Sequence, residues 1–337
     1  MRSSLTGDSG LLPDFGVVAG VDIGGSNLRI GLADLHGGVL ERWNTSTKGT
    51  SSPDDVITLI KQGIEQLLQQ TCCSQRSLLS VAAGAPGVTN SQTGIVLATS
   101  FLKGWKDVPL RQLLESALGV PAAVENDVRM AALGEHWMGA ARGVDDFVFL
   151  AIGTGIAAGV FANGKLVHGS QWTAGEVGYM HVPHTRAEPA RPGEPGALET
   201  ALAGDGIGRQ WSKLCADNAR AENLTATEIF ARAGSGDPLA KTVLDHAAEL
   251  LACTVYNISL VLNSAMFVLG GGIGINVSLC DATKRVLEER YNEPTRPNII
   301  ISSLGSDAQL LGAIQLALMT ANSPSKVDPE SQKALFL

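Results

Sequence analysis

With 337 residues, 45% of them apolar and 17% charged, the chain is long enough for two domains that each bury a core, and its 39 glycines and 5% aromatics fit a Gly-rich α/β enzyme rather than a fibrous or disordered chain. A formal charge of -8 with no clustered Lys and Arg leaves no surface to neutralise nucleic-acid phosphates, and no run of about 18 apolar residues offers a membrane span. Met1 to Phe15 has Arg2 but no apolar h-region, which makes the cytoplasm the expected location, and Cys72, Cys73, Cys215, Cys253 and Cys280 show neither a disulfide framework nor metal-ligand spacing.

The chain first reads as a meander. An apolar strand, Val17 to Val21, enters a Gly-rich turn at Asp22 to Ser26, and a second strand, Leu28 to Ala33, a His36-Gly37-Gly38 turn and a third strand follow. Ser52 is placed to cap a helix with Pro53 at its first position, Asp54 and Asp55 in its first turn, and Ile57, Ile60, Ile64, Leu67 and Leu68 on one face. A buried strand, Leu79 to Ala83, runs into Gly84-Ala85-Pro86-Gly87, and a helix around Pro109 to Leu118 leads to a short strand, Ala122 to Val124. From Asp146 the pattern starts again: strand Phe147 to Ile152, turn Gly153-Thr154-Gly155, strand Ile156 to Ala162, an Asn163-Gly164 hairpin turn and strand Lys165 to Val167. A repeat after one domain length points to a duplicated unit. A long helical stretch, Pro238 to Val261, a strand at Ala265 to Leu269, the Gly270-Gly271-Gly272 turn and a last helix around Ala308 to Met319 complete the second half, and the Ser-, Pro- and Lys-rich tail from Ala321 is expected to be loosely held.

Four segments carry chemistry. Asp22-Ile23-Gly24-Gly25-Ser26-Asn27 lies between two apolar strands, where absent Cβ atoms let backbone N–H groups approach phosphate; a tight hairpin that binds nothing is the alternative. Asp22, ending its strand, suits Mg²⁺ held through water. Gly153-Thr154-Gly155 is a second such turn that would grip the γ-phosphate from the other side. With Ile156, Ala157 and Ala158 it also spells G-x-G-x-x-A, but a strand follows where a dinucleotide fingerprint opens a helix, and no G-x-x-x-x-G-K-[ST] occurs. Glu125-Asn126-Asp127 follows a strand end, so Asp127 either takes the proton of an attacking sugar hydroxyl or caps the next helix. Glu176 and Glu199, each flanked by glycine, either bond vicinal hydroxyls or belong to a solvated loop, and Trp172 and Trp105 either stack on a sugar or fill the core.

In this order the segments resemble the ROK family of bacterial sugar kinases and sugar-responsive repressors, from about Val17 to Ala317. The resemblance implies a duplicated actin-like ATPase fold (ribonuclease H-like, α/β): residues 1–124 form the first domain, 125–305 the second, a last helix at about 306–320 packs back on the first, and 321–337 trail. It implies that Asp22, Gly24, Gly25, Ser26 and Asn27 form the first phosphate motif, with Ser26 where Thr is usual, that Gly153, Thr154 and Gly155 form the second, and that Gly270, Gly271 and Gly272 form the adenosine-binding turn. Asp127 inherits the base role, and Asn126, Glu176 and Glu199 would hold sugar hydroxyls, with Tyr179 and Gly87 beside them. ATP and Mg²⁺ are the implied cofactors, a sugar the acceptor and a homodimer the assembly, although polyphosphate users share the framework.

The family signature continues A-G-E-x-G-H and C-x-C-G-x-x-G-C-x-E, whose His and three Cys hold structural zinc; here Tyr179, Ala190, Pro192 and Ala197 stand at those four places, so no zinc is expected and Pro189, Pro192 and Pro195 are expected to pack the loop instead. An Asn is common where Phe101 stands, within Ser100-Phe101-Leu102-Lys103-Gly104-Trp105. The expected activity is phosphorylation of glucose at its 6-hydroxyl; another hexose, N-acetylmannosamine or N-acetylglucosamine, or a sugar sensor without catalysis are the alternatives. Sixteen residues precede Val17, far short of a helix-turn-helix, so direct DNA binding is not expected.

Overall fold

A computed structural model describes residues 16–99, 101–191, 194–218, 222–291 and 296–323. The first meander is β1 (Val17–Ile23), β2 (Asn27–Asp34) and β3 (Val39–Ser46). Helix α1 (Pro53–Gln70) begins with a reciprocal cap in which Ser52 accepts from Asp55 N and the Asp55 carboxylate accepts from Ser52 N. β4 (Leu78–Ala85) then pairs in parallel with β1. A small antiparallel sheet of β5 (Val88–Asn90), β6 (Ile95–Ala98) and β7 (Lys106–Val108) precedes α2 (Leu110–Leu118) and β8 (Ala122–Asn126). The large sheet has the order β3-β2-β1-β4-β8, antiparallel in the meander and parallel beyond it.

After α3 (Asp127–Met138) the plan recurs with β9 (Phe147–Ile152), β10 (Ile156–Ala162) and β11 (Lys165–Leu166). Asn163 and Gly164 both take positive φ, 53° and 71°, as the two-residue turn of a twisted hairpin requires. Helices α4 (Ala197–Leu202), α5 (Gly204–Asp217), α6 (Ala226–Gly234) and α7 (Pro238–Leu262) come next, then β12 (Met266–Gly270), the short α8 (Gly271–Gly274), α9 (Val277–Arg290) and β13 (Ile299–Ile301). The order β11-β10-β9-β12-β13 repeats the first sheet strand for strand, which is the duplicated α/β plan of the actin-like ATPase fold.

Each sheet buries one face under its own helices: Val21, Ile30, Ile60 and Leu114 in the first core, Leu150, Trp211, Leu251 and Phe267 in the second. Their other faces are covered by α3 and by α10 (Ala308–Asn322), which lies on β1 and β4 and crosses α3. Several strands end a residue or two from expectation, and two such differences bear on the expected division into domains. β8 continues through Asn126, because Gly84 and Ala85 still pair with Glu125 and Asn126, so those residues belong to the first sheet. α10 continues through Asn322, two residues into the expected tail; residues 324–337 lie outside the described ones. Among the described residues no helix is long and apolar enough to cross a membrane.

The α3–α10 crossing has no room for side chains. A Cβ on Gly312 would stand 1.8 Å from Met130 O, and one on Gly134 would stand 2.1 Å from Ala308 O. Gly312→Ala is therefore expected to lower the unfolding free energy by about 2–3 kcal/mol in urea titrations. Gly234→Ala, whose added methyl meets nothing within 4 Å, should change it little.

Candidate active site

The bend between β1 and β2 is closed by Gly24 N donating to Asn27 O at 2.8 Å. The end of β3 braces it: Thr47 N donates to Ser26 O at 3.1 Å and Thr47 Oγ1 to Gly24 O at 3.0 Å. Asp22 and Arg29 face each other across the two strands, so their side chains share one face. Arg29 Nε and Nη2 both bond Asp22 Oδ2, at 2.8 and 2.6 Å. Burial nevertheless pushes the Asp22 carboxyl above its usual range, with Arg29 opposing.

The matching bend after β9 is closed by Gly153 N donating to Gly155 O at 2.9 Å and carries an exposed Thr154. Gly271 lies next to it with φ +76°, its missing Cβ only 2.5 Å from Ile152 O. Gly270 behaves differently from its neighbours: it ends β12 behind the Phe149 ring, where a Cβ would meet the ring at 2.2 Å. A cleft of about 890 Å³ brings Asp22, Gly24, Gly25, Ser26, Asn27 and Asp127 from one side together with Thr154, Gly271 and Gly272 from the other. A second cavity of about 930 Å³ opens from Gly153, Thr154 and Gly272 toward Asp205, Arg209 and Ser212 of α5 and Thr225 ahead of α6. Nothing in the sequence reading singled out that second set.

At the start of α3 the cap is Asn126. Its Oδ1 accepts from Val128 N and Arg129 N, both at 3.0 Å, while its Nδ2 donates to Gly87 O at 3.0 Å and to Asp127 Oδ1 at 2.9 Å. Asp127 is thereby relieved of the capping task that was its alternative reading. Val128 N also bonds Asp127 Oδ1 at 2.9 Å, so these bonds gather on one oxygen. Burial first, then the like charges of Asp22 and Glu176, push the Asp127 carboxyl up to about 7. Asn126 has both amide hydrogens and both lone pairs engaged, so to hold a sugar hydroxyl it must exchange one of these bonds.

Glu176 is itself raised, by burial and by Glu199, with Arg129 opposing. Glu199 Oε2 accepts from Ile156 N at 2.8 Å, which ties this acid to the second glycine bend. Tyr179 is half exposed, and burial together with Glu176 and Glu199 raises its phenol. Phe101 is 50% exposed and lines the cleft over Gly25, whose Cβ would meet Phe101 O at 3.2 Å. Trp105 is buried in the first core, whereas Trp172 is half-buried at φ +64°, a strained backbone for a bulky residue, with its ring edge-on to His168.

In the described part of the loop from Tyr179 to Gly196, two of the three prolines expected to pack it do not do so. Pro189 and Pro195 are exposed, and Pro192 lies outside the described residues. The work falls to Arg186, whose Nη2 donates to Pro195 O at 2.5 Å, whose Nη1 stands 3.6 Å from Glu194 Oε2, and whose carbonyl lies 3.1 Å from His181 Nδ1. The sequence reading also missed a buried group behind the cleft, in which Glu125 Oε1 accepts from Arg129 Nε at 2.7 Å and Glu125 Oε2 meets His168 Nε2 at 2.7 Å. Its one local signal was Glu125 and Arg129 at i and i+4.

The repeated sheets and the glycine-lined cleft between them define a two-domain enzyme of the actin-like ATPase class. The model of the ROK family matches residues 18–320, and the chain belongs to that family. It is 30% identical over 322 residues to a glucokinase of Halalkalibacterium halodurans, covering 91% of this chain and 96% of that one. It is 30% identical over 306 residues to a β-glucoside kinase of Listeria monocytogenes, covering 90% and 98%. The crystal structure of a ROK hexokinase from Thermus thermophilus superposes with a TM-score of 0.73 at 27% identity, covering 90% of this chain and 98% of that one. The chain is a sugar kinase of this family.

The Asp127 carboxyl makes stability depend on pH in an unusual direction. The native state keeps a proton that the unfolded chain releases near pH 4, so ionisation costs stability progressively from there to about pH 7. Asp127→Asn removes that cost. Urea unfolding is expected to show the variant more stable than wild type by about 2 kcal/mol above pH 7, with the gap closing toward pH 4.

Proposed function

We propose that this sugar kinase transfers the γ-phosphoryl group of ATP to a hexose, glucose at its 6-hydroxyl first, with Asp127 as general base. The observation that carries the reading is the position of Asp127, half-buried in the cleft between two glycine bends with a carboxyl raised to about 7. A base with that affinity is ionised in part at neutral pH and binds a proton well, the compromise that general base catalysis favours. Oδ2 is the oxygen that takes the hydroxyl proton, since Asn126 and Val128 hold Oδ1. Glu176, Glu199 and Tyr179 are proposed to bond the sugar's other hydroxyls, together with Asn126 and the backbone at Gly87.

The residues present fit a nucleotide. A Cβ on Gly272 would meet nothing within 4 Å and one on Gly153 only Gly272 N at 3.8 Å, so backbone edges lie open to phosphate oxygens. The polar second cavity beside Gly272 is the proposed place of the adenosine. The donor set fits Mg²⁺ as well: the Asp22 charge raises the Asp127 carboxyl across the cleft, a repulsion that a divalent cation would relieve, and Asp22 Oδ1 takes none of the bonds from Arg29. When bound, the ion supplies charge to offset that building on the phosphoryl oxygens. Backbone N–H groups of the bends other than Gly24 N and Gly153 N, which close the bends themselves, would donate to the same charge, and closure of the cleft would exclude water that otherwise takes the phosphoryl group.

Relatives named glucokinase and β-glucoside kinase support a hexose acceptor. The test is an ADP-coupled assay with ATP·Mg²⁺ over glucose, mannose, N-acetylmannosamine, N-acetylglucosamine and a β-glucoside, with polyphosphate as a second donor. Glucose is expected to give the highest kcat/KM, with an acid limb near pH 7. Asp127→Asn should lower turnover by about 10²–10⁴-fold while sugar and ATP still bind. Near-normal turnover in that variant would remove Asp127 from the base role.

A further inference from the structure

Arg129 lies half a turn beyond Asp127 on α3 and is 3% exposed. Its guanidinium bonds three separate segments: Nε donates to Glu125 Oε1 at 2.7 Å, Nη1 to Trp172 O at 3.1 Å and Nη2 to Thr89 O at 3.0 Å. The opposite oxygen of Glu125 meets His168 Nε2 at 2.7 Å. One buried fork thus joins the β8–α3 junction, the small sheet and the turn that runs from His168 to Glu176.

That turn is held in a shape its residues do not favour alone. Trp172 has φ +64°, and Gly175 has φ +93° with its missing Cβ 1.9 Å from Ala158 O. Two anchors keep it there: the Arg129 bond to Trp172 O, and Ala158 N donating to Gly175 O at 2.7 Å. The next residue is Glu176, whose charge is felt at Asp127. The distance between the acid that holds a sugar and the base that deprotonates it therefore depends on the guanidinium behind both.

We propose that Arg129, set by Glu125 and His168, is a positioning residue that fixes the Trp172–Glu176 turn against Asp127 and so decides where the acceptor hydroxyl lies on the base. The inference rests on the reading of Asp127 and Glu176 given above. It needs the planar fork, because a lysine keeps the charge but presents a single point that cannot reach Glu125, Trp172 O and Thr89 O together.

The experiment compares Arg129→Lys, His168→Gln and Asp127→Asn, measuring kcat, KM for ATP, and KM for glucose or for whichever sugar of the panel is turned over fastest. Arg129→Lys is expected to raise the sugar KM and lower kcat by about tenfold or more each, while the KM for ATP stays within about twofold. His168→Gln, which keeps a hydrogen bond to Glu125, should show the same split at about threefold and carries the test if Arg129→Lys does not fold. A folded Arg129→Lys or His168→Gln with an unaltered sugar KM overturns the proposal, as does an equal rise in both KM values. If Asp127→Asn is inactive while the sugar KM of the other variants is unaltered, only the role of Arg129 falls; if Asp127→Asn keeps normal turnover, the underlying site assignment falls with it.

Discussion

Repulsion among carboxylates that are kept short of water governs this molecule. Asp22 and Asp127 line the cleft, the charge of Glu176 is felt at Asp127, and burial raises all three carboxyls. A fold selected only for stability would not gather like charges there, because each must be desolvated and each opposes the next. The arrangement persists because the surroundings over-determine it: Arg29 grips Asp22, Asn126 holds Asp127, and Arg129 sits behind Glu176. The same crowding holds the Asp127 carboxyl up at about 7, and the proposed base role and Mg²⁺ site both draw on it.

The duplicated architecture explains how such a site can be assembled. Each half has its own sheet and its own core, and the glycine bends project from the same end of corresponding β-meanders. Side chains and backbone donors from both halves thus converge on one space without either core being interrupted. The tight α3–α10 crossing at Gly134 and Gly312 joins the halves behind that space.

Much of this was legible in the chain. β9 and β10 run over the residues their apolar runs marked, Ser52 and Pro53 announced α1, and the Asn163-Gly164 turn is formed by those two residues. Local signals sufficed there because the pattern and the punctuation agree. The small sheet of β5, β6 and β7 was not read, since three- and four-residue strands are too short for alternation to show. Helices α4, α5, α6 and α9 went unremarked, although Thr225 and Glu228 spell a capping box. At the site, glycine-rich bends and Asp127 stand out as sequence, whereas Arg129, His168 and the α5–α6 cavity owe their places to contacts between distant segments. Arg186 was hidden in the same way: its partner Pro195 O is a backbone atom that no motif records.

A structure of the protein with glucose and a non-hydrolysable ATP analogue tests the central claim most directly. The account predicts the triphosphate held between the Gly24–Asn27 and Gly153–Gly155 bends, and an acceptor hydroxyl within about 2.6–3.2 Å of Asp127 Oδ2. A sugar bound away from Asp127, or phosphates that touch only one of the two bends, would contradict it.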